Sequence, residues 1–136
     1  MKKIFLYSVF LGLILLASCT EEGSEPTAPV DDRDKFVGAW LCTEIIGTQN
    51  PRPFTIDISK VNTNEVKIKN FSDYGDFTYA LGEVTGNSLV IPQQNLTGGA
   101  AIAVQGSGIY SSTNGGKLTL NYTVDGDTAK ATCVRP

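Results

Sequence analysis

The sequence has no histidine, and it contains one methionine and one tryptophan among 136 residues. The absence of histidine removes the most frequent general base of enzymes and the most frequent metal ligand of proteins. A Gly-x-Ser-x-Gly nucleophile motif and a glycine-rich loop followed by Lys and Ser or Thr are also missing. The three cysteines are too far apart along the chain to form a paired metal-ligand motif. We therefore predict that the protein is not an enzyme and holds no metal and no cofactor.

Apolar segments long enough to cross a membrane are missing as well. The longest mainly apolar stretch, Ile4–Ala17, has 14 residues, whereas a membrane-spanning helix needs about 20. Lys2 and Lys3 precede this stretch and small residues follow it, which is typical of a cleaved export signal.

The export signal ends in Leu16-Ala17-Ser18-Cys19, which resembles a bacterial lipobox. The resemblance implies that residues 1–18 are a lipoprotein signal peptide. It also implies that Cys19 carries a thioether-linked diacylglyceride, so that a lipid anchor holds the mature chain on a membrane. An ordinary secretory signal that ends near a cysteine is the alternative.

The residues after this cysteine bear on the membrane to which the chain is sorted. Thr20 stands where an inner-membrane retention signal has aspartate, which implies the outer membrane. Glu21-Glu22 resembles the acidic export tag of Bacteroidota lipoproteins, although acidic residues are also common in solvated tethers. We expect the cell surface rather than the periplasmic face.

Basic residues are too few for a nucleic-acid surface. The chain has 11 Lys and Arg against 14 Asp and Glu, and two of the lysines belong to the predicted signal peptide. We therefore expect no nucleic-acid partner.

Residues 19–34 contain prolines and the acidic cluster Asp31-Asp32-Asp34 without any apolar periodicity, so they are predicted to form a flexible acidic tether. The folded domain is predicted to occupy residues 35–136.

Within this domain, short segments rich in Val, Ile, Thr, Tyr and Phe alternate with turn signals. Apolar and polar residues alternate strictly in residues 54–59 and 117–124, as in strands with one buried face. The predicted strands are Phe36–Ile46, Phe54–Val61, Glu65–Phe71, Phe77–Val84, Ser88–Ile91, Ala101–Tyr110, Lys117–Val124 and Asp127–Val134. We predict an all-β fold, an eight-stranded antiparallel up-and-down barrel, because closure removes exposed strand edges. A β-sandwich is the alternative.

The first strand carries a Gly-x-Trp pattern in Phe36-Val37-Gly38-Ala39-Trp40, which resembles the opening strand of the lipocalin and avidin group. Together with Asn87–Gln94, Gly106–Gly108 and Leu118–Val124, it resembles the small lipocalin-like lipoproteins of Bacteroidota. The resemblance implies a calycin-like barrel on a lipid tether, with Trp40 closing one end and no catalytic residues. The alternative is a tryptophan that simply fills a core.

Two cysteines remain after the lipidation site, Cys42 in the first predicted strand and Cys133 in the last. These strands are neighbours in an up-and-down barrel, so the thiols can meet in an oxidising compartment. We predict a disulfide; two separate buried thiols are the alternative.

One loop combines carboxylates with aromatic side chains and is the predicted ligand-binding site: Asp73, Tyr74, Asp76 and Phe77. Aromatic rings offer stacking area and carboxylates accept hydrogen bonds from hydroxyl groups. Aspartates also suit turns without any ligand, and for Asp125 and Asp127 around Gly126 the turn interpretation is preferred.

Asp127-Thr128-Ala129 matches a short O-glycosylation pattern of exported Bacteroidota proteins, with Thr128 as acceptor.

An eight-stranded barrel is just wide enough to be filled by side chains or to hold one small ligand. The predicted inward-facing side chains are Phe36, Trp40, Phe54, Ile56, Ile58, Phe77, Tyr79, Leu89, Ile91, Ile102, Val104, Leu118, Leu120 and Tyr122. We predict an outer-membrane lipoprotein that binds a small molecule, a glycan or a protein at the barrel mouth. A structural, accessory or inhibitor lipoprotein that acts through its outer surface is the alternative.

Overall fold

The computed structural model of the chain describes Gly23 and residues 26–136. The predicted signal peptide and the predicted lipidation site at Cys19 lie outside the described residues. In the part of the chain that is described, no helix has the length and apolar character needed to cross a membrane.

Eight antiparallel strands form a closed barrel in which each strand pairs with the next and the last pairs with the first. They are β1 (Gly38–Ile46), β2 (Arg52–Lys60), β3 (Glu65–Lys69), β4 (Tyr79–Thr85), β5 (Ser88–Asn95), β6 (Ala103–Ser111), β7 (Lys117–Val124) and β8 (Asp127–Val134). Three short 3-10 turns accompany them, Asp32–Lys35, Phe71–Asp73 and Thr113–Gly115. The predicted barrel is confirmed, and a sandwich is excluded because the sheet closes on itself.

Alternating burial along each strand places one set of side chains inside the barrel. On β7 the apolar residues Leu118, Leu120 and Tyr122 are buried, whereas the polar residues between them are partly or fully exposed. On β2, Phe54 and Ile58 are likewise buried. This is the pattern that a period of two imposes when one face of a sheet meets the core.

Strand β5 is longer than the sequence predicted. Its register shifts between Ile91 and Gln94, and the strand continues past Pro92 to Asn95. The Gln94 side chain bonds to both the N–H and the carbonyl group of Leu81 at 2.9 and 2.7 Å, so an amide side chain continues the pairing with β4. A proline is tolerated here because the strand is irregular at this point.

Two predicted inward-facing aromatic residues are corrected. Phe77 is 90% exposed because it precedes β4, and Tyr79 turns its ring outward beneath the Lys67 ammonium group, 4.8 Å from the ring centroid. The inward position at this end of the barrel is taken by Phe71, which was predicted to end a strand and instead lies buried in a 3-10 turn.

The end of the barrel that contains Trp40 is closed by the residues just before β1 and just after β8. The indole Nε1 donates to the carbonyl oxygen of Phe36 at 2.7 Å, and the Arg135 guanidinium lies 3.8 Å from the centroid of the indole ring. Arg135 also donates to the carbonyl oxygens of Val37 and Lys35 at 2.8 and 2.9 Å. The residues before β1 and after β8 are therefore held together under the tryptophan.

Asp31, which precedes the predicted domain start at Lys35, forms ion pairs within the described part of the chain. The Asp31 carboxylate accepts hydrogen bonds from Arg33 at 2.6 Å and from Lys60 at 2.8 Å, which hold the pKa of Asp31 well below its usual range. Lys35 donates to the carbonyl oxygen of Gly86 at 2.9 Å. We call residues 31–35 the latch. The acidic cluster that suggested a solvated tether is thus paired with basic groups of the domain.

Cys42 and Cys133 lie directly opposite each other in the β1–β8 pair and are joined by a disulfide. The predicted bond is confirmed. It spans a sequence separation of 91 residues across the seam where the barrel closes.

Candidate binding site at the barrel mouth

The mouth is the end of the barrel opposite Trp40. In an up-and-down barrel alternate connections lie at the same end, so residues 47–51, 70–78, 96–102 and 125–126 surround this opening. The predicted ligand loop is one of these four connections.

A cleft of about 340 Å³ lies at the mouth. It is lined by Ile46, Gln49, Arg52, Ser72, Asp73, Tyr74, Val124, Asp125 and Asp127. These residues come from the ends of β1, β2, β7 and β8, from the β1–β2 loop and the β7–β8 turn, and from the loop between β3 and β4. The barrel therefore gathers groups that are distant in sequence around one opening.

The structure brings two of the four predicted ligand residues to this cleft. Asp73 lines it, with its Oδ2 4.0 Å from the Arg52 guanidinium, and Tyr74 lines it with 41% of its surface exposed. Asp76 and Phe77 lie further along the same loop, are exposed, and do not line the cleft. A ligand-binding role for the four residues stays a prediction.

The floor of the mouth contains Glu44, a carboxylate that is fully buried on β1. Its Oε1 accepts a hydrogen bond from the Ser72 hydroxyl at 2.6 Å and another from the Tyr122 hydroxyl. Its Oε2 accepts from Arg52 Nε at 2.8 Å. A buried charge is tolerated only when it is paired and hydrogen-bonded, and these contacts satisfy both conditions.

This group of residues was not singled out from the sequence, although a signal was present. Glu44 follows Trp40 and Cys42 at intervals of two residues, so the strand period alone places its carboxylate inside the barrel. A charged residue at an inward position needs hydrogen-bonding partners, and a search for such partners would have identified the mouth as a candidate site.

Burial, followed by the contact with Glu44, raises the pKa of Tyr122 far above its usual value. The hydrogen bond to Glu44 likewise raises the pKa of Arg52. Because Arg52 and Glu44 neutralise each other, the remaining charges lining the cleft are those of Asp73, Asp125 and Asp127. The cleft therefore presents an acidic rim to solvent.

Part of that rim is a hairpin turn, as the sequence predicted. Asp125 and Gly126 have φ values of 48° and 88° between the paired residues Val124 and Asp127. The Asp125 carboxylate also accepts from the N–H of Ala103 at 3.0 Å, which ties the turn to β6. Both observations agree with a two-residue turn that needs left-handed backbone.

The loop between β3 and β4 inserts into the mouth. The Phe71 ring is buried with its centroid 4.7 Å from that of Tyr122, and Ser72 beside it is buried as well. Arg52 donates to the carbonyl oxygen of Ser72 at 2.9 Å. We call Phe71 and Ser72 the plug, because they separate the barrel interior from the cleft.

A second groove, of about 470 Å³, lies on the outer surface of β5 to β8. The exposed Thr128 contributes to the lining of this groove, and glycosylation of Thr128 stays a prediction.

Among Gly23 and residues 26–136, no three Cys, Asp or Glu side chains are grouped so that they could hold a metal ion.

No protein-family model matches the chain, and no curated protein matches it in sequence. Its structure is similar to that of a redesigned β-barrel, with a TM-score of 0.57, 13% identity, and coverage of 81% of this chain and 99% of that chain. It is also similar to mFAP1, a redesigned β-barrel bound to DFHBI, with a TM-score of 0.58, 19% identity, and coverage of 78% and 100%. These similarities show the barrel fold alone, and the resemblance to lipocalin-like lipoproteins stays a prediction.

Proposed function

We propose that the protein is a lipid-anchored lipoprotein of the cell envelope that binds a small molecule at the barrel mouth and catalyses no reaction. The observation that carries this proposal is the open cleft above a polar cluster in an otherwise apolar barrel. Binding sites for small molecules are commonly concave and largely apolar, with a few converging polar groups.

Two further features support a small ligand. The cleft at the mouth offers a partly exposed aromatic side chain, Tyr74, beside the hydrogen-bonding groups of Asp73 and Arg52. In addition, the mFAP1 barrel is bound to DFHBI, so a barrel of this fold can accommodate a small molecule.

The position of the latch supports a mouth that faces away from the membrane. The chain enters the barrel at the closed end, where Asp31 and Lys35 bind residues of the domain. The segment from Cys19 to Val30 reaches at most about 40 Å when fully extended. An anchor at Cys19 would therefore hold the closed end nearer to the lipid. We place the protein on the outer membrane, at the cell surface.

Binding at the mouth is tested by a thermal-shift screen of small molecules and glycans, followed by titration of each hit against variants. Tyr74→Ala is expected to weaken binding at least severalfold, because it removes the aromatic wall of the cleft. Phe77→Ala is the matched control, because it removes a ring of the same loop that does not line the cleft. Equal affinity of the wild type and the Tyr74 variant for every hit would contradict binding at this cleft.

Anchoring is tested by expression of Cys19→Ala with its export signal and by detergent-phase partitioning of the product. The variant is expected to leave the detergent phase, because no other nearby thiol can take the lipid. A variant without the disulfide cysteines, Cys42→Ala/Cys133→Ala, should still partition with detergent. Unchanged partitioning of Cys19→Ala would refute the lipoprotein assignment.

One observation favours a second function. Phe77 is 90% exposed at the mouth, and a large apolar side chain so placed is suited to contact with another macromolecule. In this case the protein acts as an accessory or inhibitor lipoprotein through its outer surface. Chemical cross-linking in the cell envelope tests this second function. It is supported if a partner that cross-links to the wild type is lost in Phe77→Asp and is kept in Tyr74→Ala.

A further inference from the structure

The buried carboxylate of Glu44 receives hydrogen bonds from two different kinds of structure. Tyr122 belongs to β7 and Arg52 to the start of β2, so these donors are built into the barrel wall. Ser72 belongs to the loop between β3 and β4, and its hydroxyl reaches Oε1 from above at 2.6 Å. If the loop moved away, the carboxylate would lose one donor and become an open acceptor at the base of the mouth.

The residue next to this donor supplies an aromatic ring. Phe71 packs on Tyr122 with ring centroids 4.7 Å apart and the planes inclined at 52°. The plug thus presents a ring to an aromatic wall and a hydroxyl to a carboxylate, side by side. This is the set of contacts that a small aromatic compound with one hydrogen-bond donor would make.

The loop that carries the plug is held by hydrogen bonds within the loop and to β1 and β2. Asn70, Ser72 and Asp73 all have left-handed backbone conformations, with φ values of 54°, 53° and 61°, which non-glycine residues rarely adopt. Asn70 Nδ2 donates to the carbonyl oxygen of Thr55 at 2.8 Å. Three residues beyond the plug, Gly75 has φ of 102°, and a Cβ placed there would meet no other atom within 4 Å. The loop therefore combines a strained centre with an open, permissive end.

We infer that the plug occupies a ligand site inside the mouth, and that the ligand which displaces it is a small aromatic alcohol or amine. The ring of the ligand takes the place of Phe71 against Tyr122, and its hydroxyl or ammonium group takes the place of Ser72 on Glu44. Aromatic carboxylates are excluded by Glu44 and by the acidic rim of Asp73 and Asp125. This inference rests on the proposed binding function and defines its ligand class.

Comparison of p-cresol with toluene tests both halves of the inference, because the two differ by one hydroxyl group. When a site is blocked in most molecules, its apparent affinity is the intrinsic affinity multiplied by the fraction of molecules in which the site is open. Phe71→Ala removes the competing ring and is expected to bind p-cresol at least tenfold more tightly than the wild type does. Phe77→Ala changes an exposed ring of the same loop and is expected to bind p-cresol as the wild type does.

The role of the carboxylate is tested in the Phe71→Ala background. Addition of Glu44→Gln is expected to reduce the preference for p-cresol over toluene at least fivefold, since the charged acceptor is lost while the size of the side chain is kept. If Phe71→Ala does not fold, Ser72→Ala serves instead, because it frees the acceptor without removing the ring. That variant loses a contact of the plugged state, so it should bind both p-cresol and toluene severalfold more tightly than the wild type does and should keep the preference for p-cresol.

The inference is overturned if the soluble plug variants bind p-cresol no more tightly than the wild type, or if they bind p-cresol and toluene equally. These outcomes are distinct from failure of the proposed function. A library hit whose binding depends on Tyr74 but not on Phe71 would keep the cleft as a binding site and reject the plug. Absence of any hit for the wild type, together with absence of p-cresol binding by the plug variants, would reject both.

Discussion

At the scale of single residues, the buried carboxylate of Glu44 organises the polar contacts at the mouth. A charge taken out of water loses hydration worth several kcal/mol, and only good partners offset that loss. Glu44 obtains them from residues 8, 28 and 78 positions away along the chain, namely Arg52, Ser72 and Tyr122. The inward glutamate thus ties three elements of the fold to one point.

Tyr122→Phe removes one of these partners and gives a prediction that depends on pH. Loss of a hydrogen bond to a charged group should lower the free energy of unfolding at neutral pH by about 1.5–3 kcal/mol. The folded pKa of Tyr122 lies above its unfolded value of 10.0, so its contribution is present below pH 10 and is lost as the pH rises further. Urea unfolding at a series of alkaline pH values measures this.

The wild type should therefore lose stability more steeply than Tyr122→Phe above about pH 10, by up to about 1.4 kcal/mol per pH unit for one group. Tyr74→Phe makes the same change at an exposed tyrosine of the mouth and is the matched control for the substitution itself. Parallel slopes for the wild type and Tyr122→Phe would show that this tyrosine is not protected from ionisation.

At the scale of elements, the interiors of strands and the β7–β8 hairpin were predictable, whereas the strand ends that flank the loop between β3 and β4 were not. Lys117–Val124 and Asp127–Val134 have the predicted bounds, because strict alternation leaves one choice of face. Phe71 and Phe77 have the same intrinsic preference for strands, and local sequence does not say which ring turns inward. The choice depends on Tyr122 and Glu44, which contact the loop only in the folded barrel.

The latch is a second element whose order depends on contacts across the fold, and Asp31→Asn tests it. The substitution removes the carboxylate that Arg33 and Lys60 share, so residues 32–37 should exchange their amide hydrogens severalfold faster at neutral pH. The pKa of Asp31 is lowered in the folded state, so this contribution is present above about pH 4 and is lost as the pH falls through the folded value.

The difference in exchange between Asp31→Asn and the wild type should accordingly vanish in strong acid. Asp76→Asn, at an exposed aspartate of the mouth, should leave exchange in the latch unchanged at every pH. Equal protection of the latch in Asp31→Asn and the wild type at neutral pH would mean that other contacts, such as Lys35 with Gly86, suffice to hold it.

At the scale of the whole molecule, the closed barrel followed from features that reinforce one another. Alternating strands required a buried face, regular turns indicated antiparallel neighbours, and closure removed exposed strand edges; the closed barrel then made the first and last strands neighbours and allowed their cysteines to meet. The cleft was only partly predictable, because aromatic and acidic residues in a loop mark a candidate without its partners. Arg52 and Glu44 reach Asp73 and Ser72 only after the first three strands have paired.

Removal of the disulfide tests this closure for the molecule as a whole. A bond that spans 91 residues restricts the unfolded chain strongly, so Cys42→Ala/Cys133→Ala should lower the free energy of unfolding by roughly 4–5 kcal/mol in the chain-entropy account. The far-ultraviolet circular dichroism should stay that of a β-barrel, because β1 and β8 keep their ladder of backbone hydrogen bonds. The matched control is Thr43→Ser/Thr132→Ser, at the adjacent paired position of the same seam, which should unfold at nearly the wild-type urea concentration. Two outcomes would show that the barrel does not depend on a bond at this seam. In one, both thiols react freely with an alkylating agent in the native oxidised protein; in the other, the alanine pair leaves the unfolding midpoint unchanged.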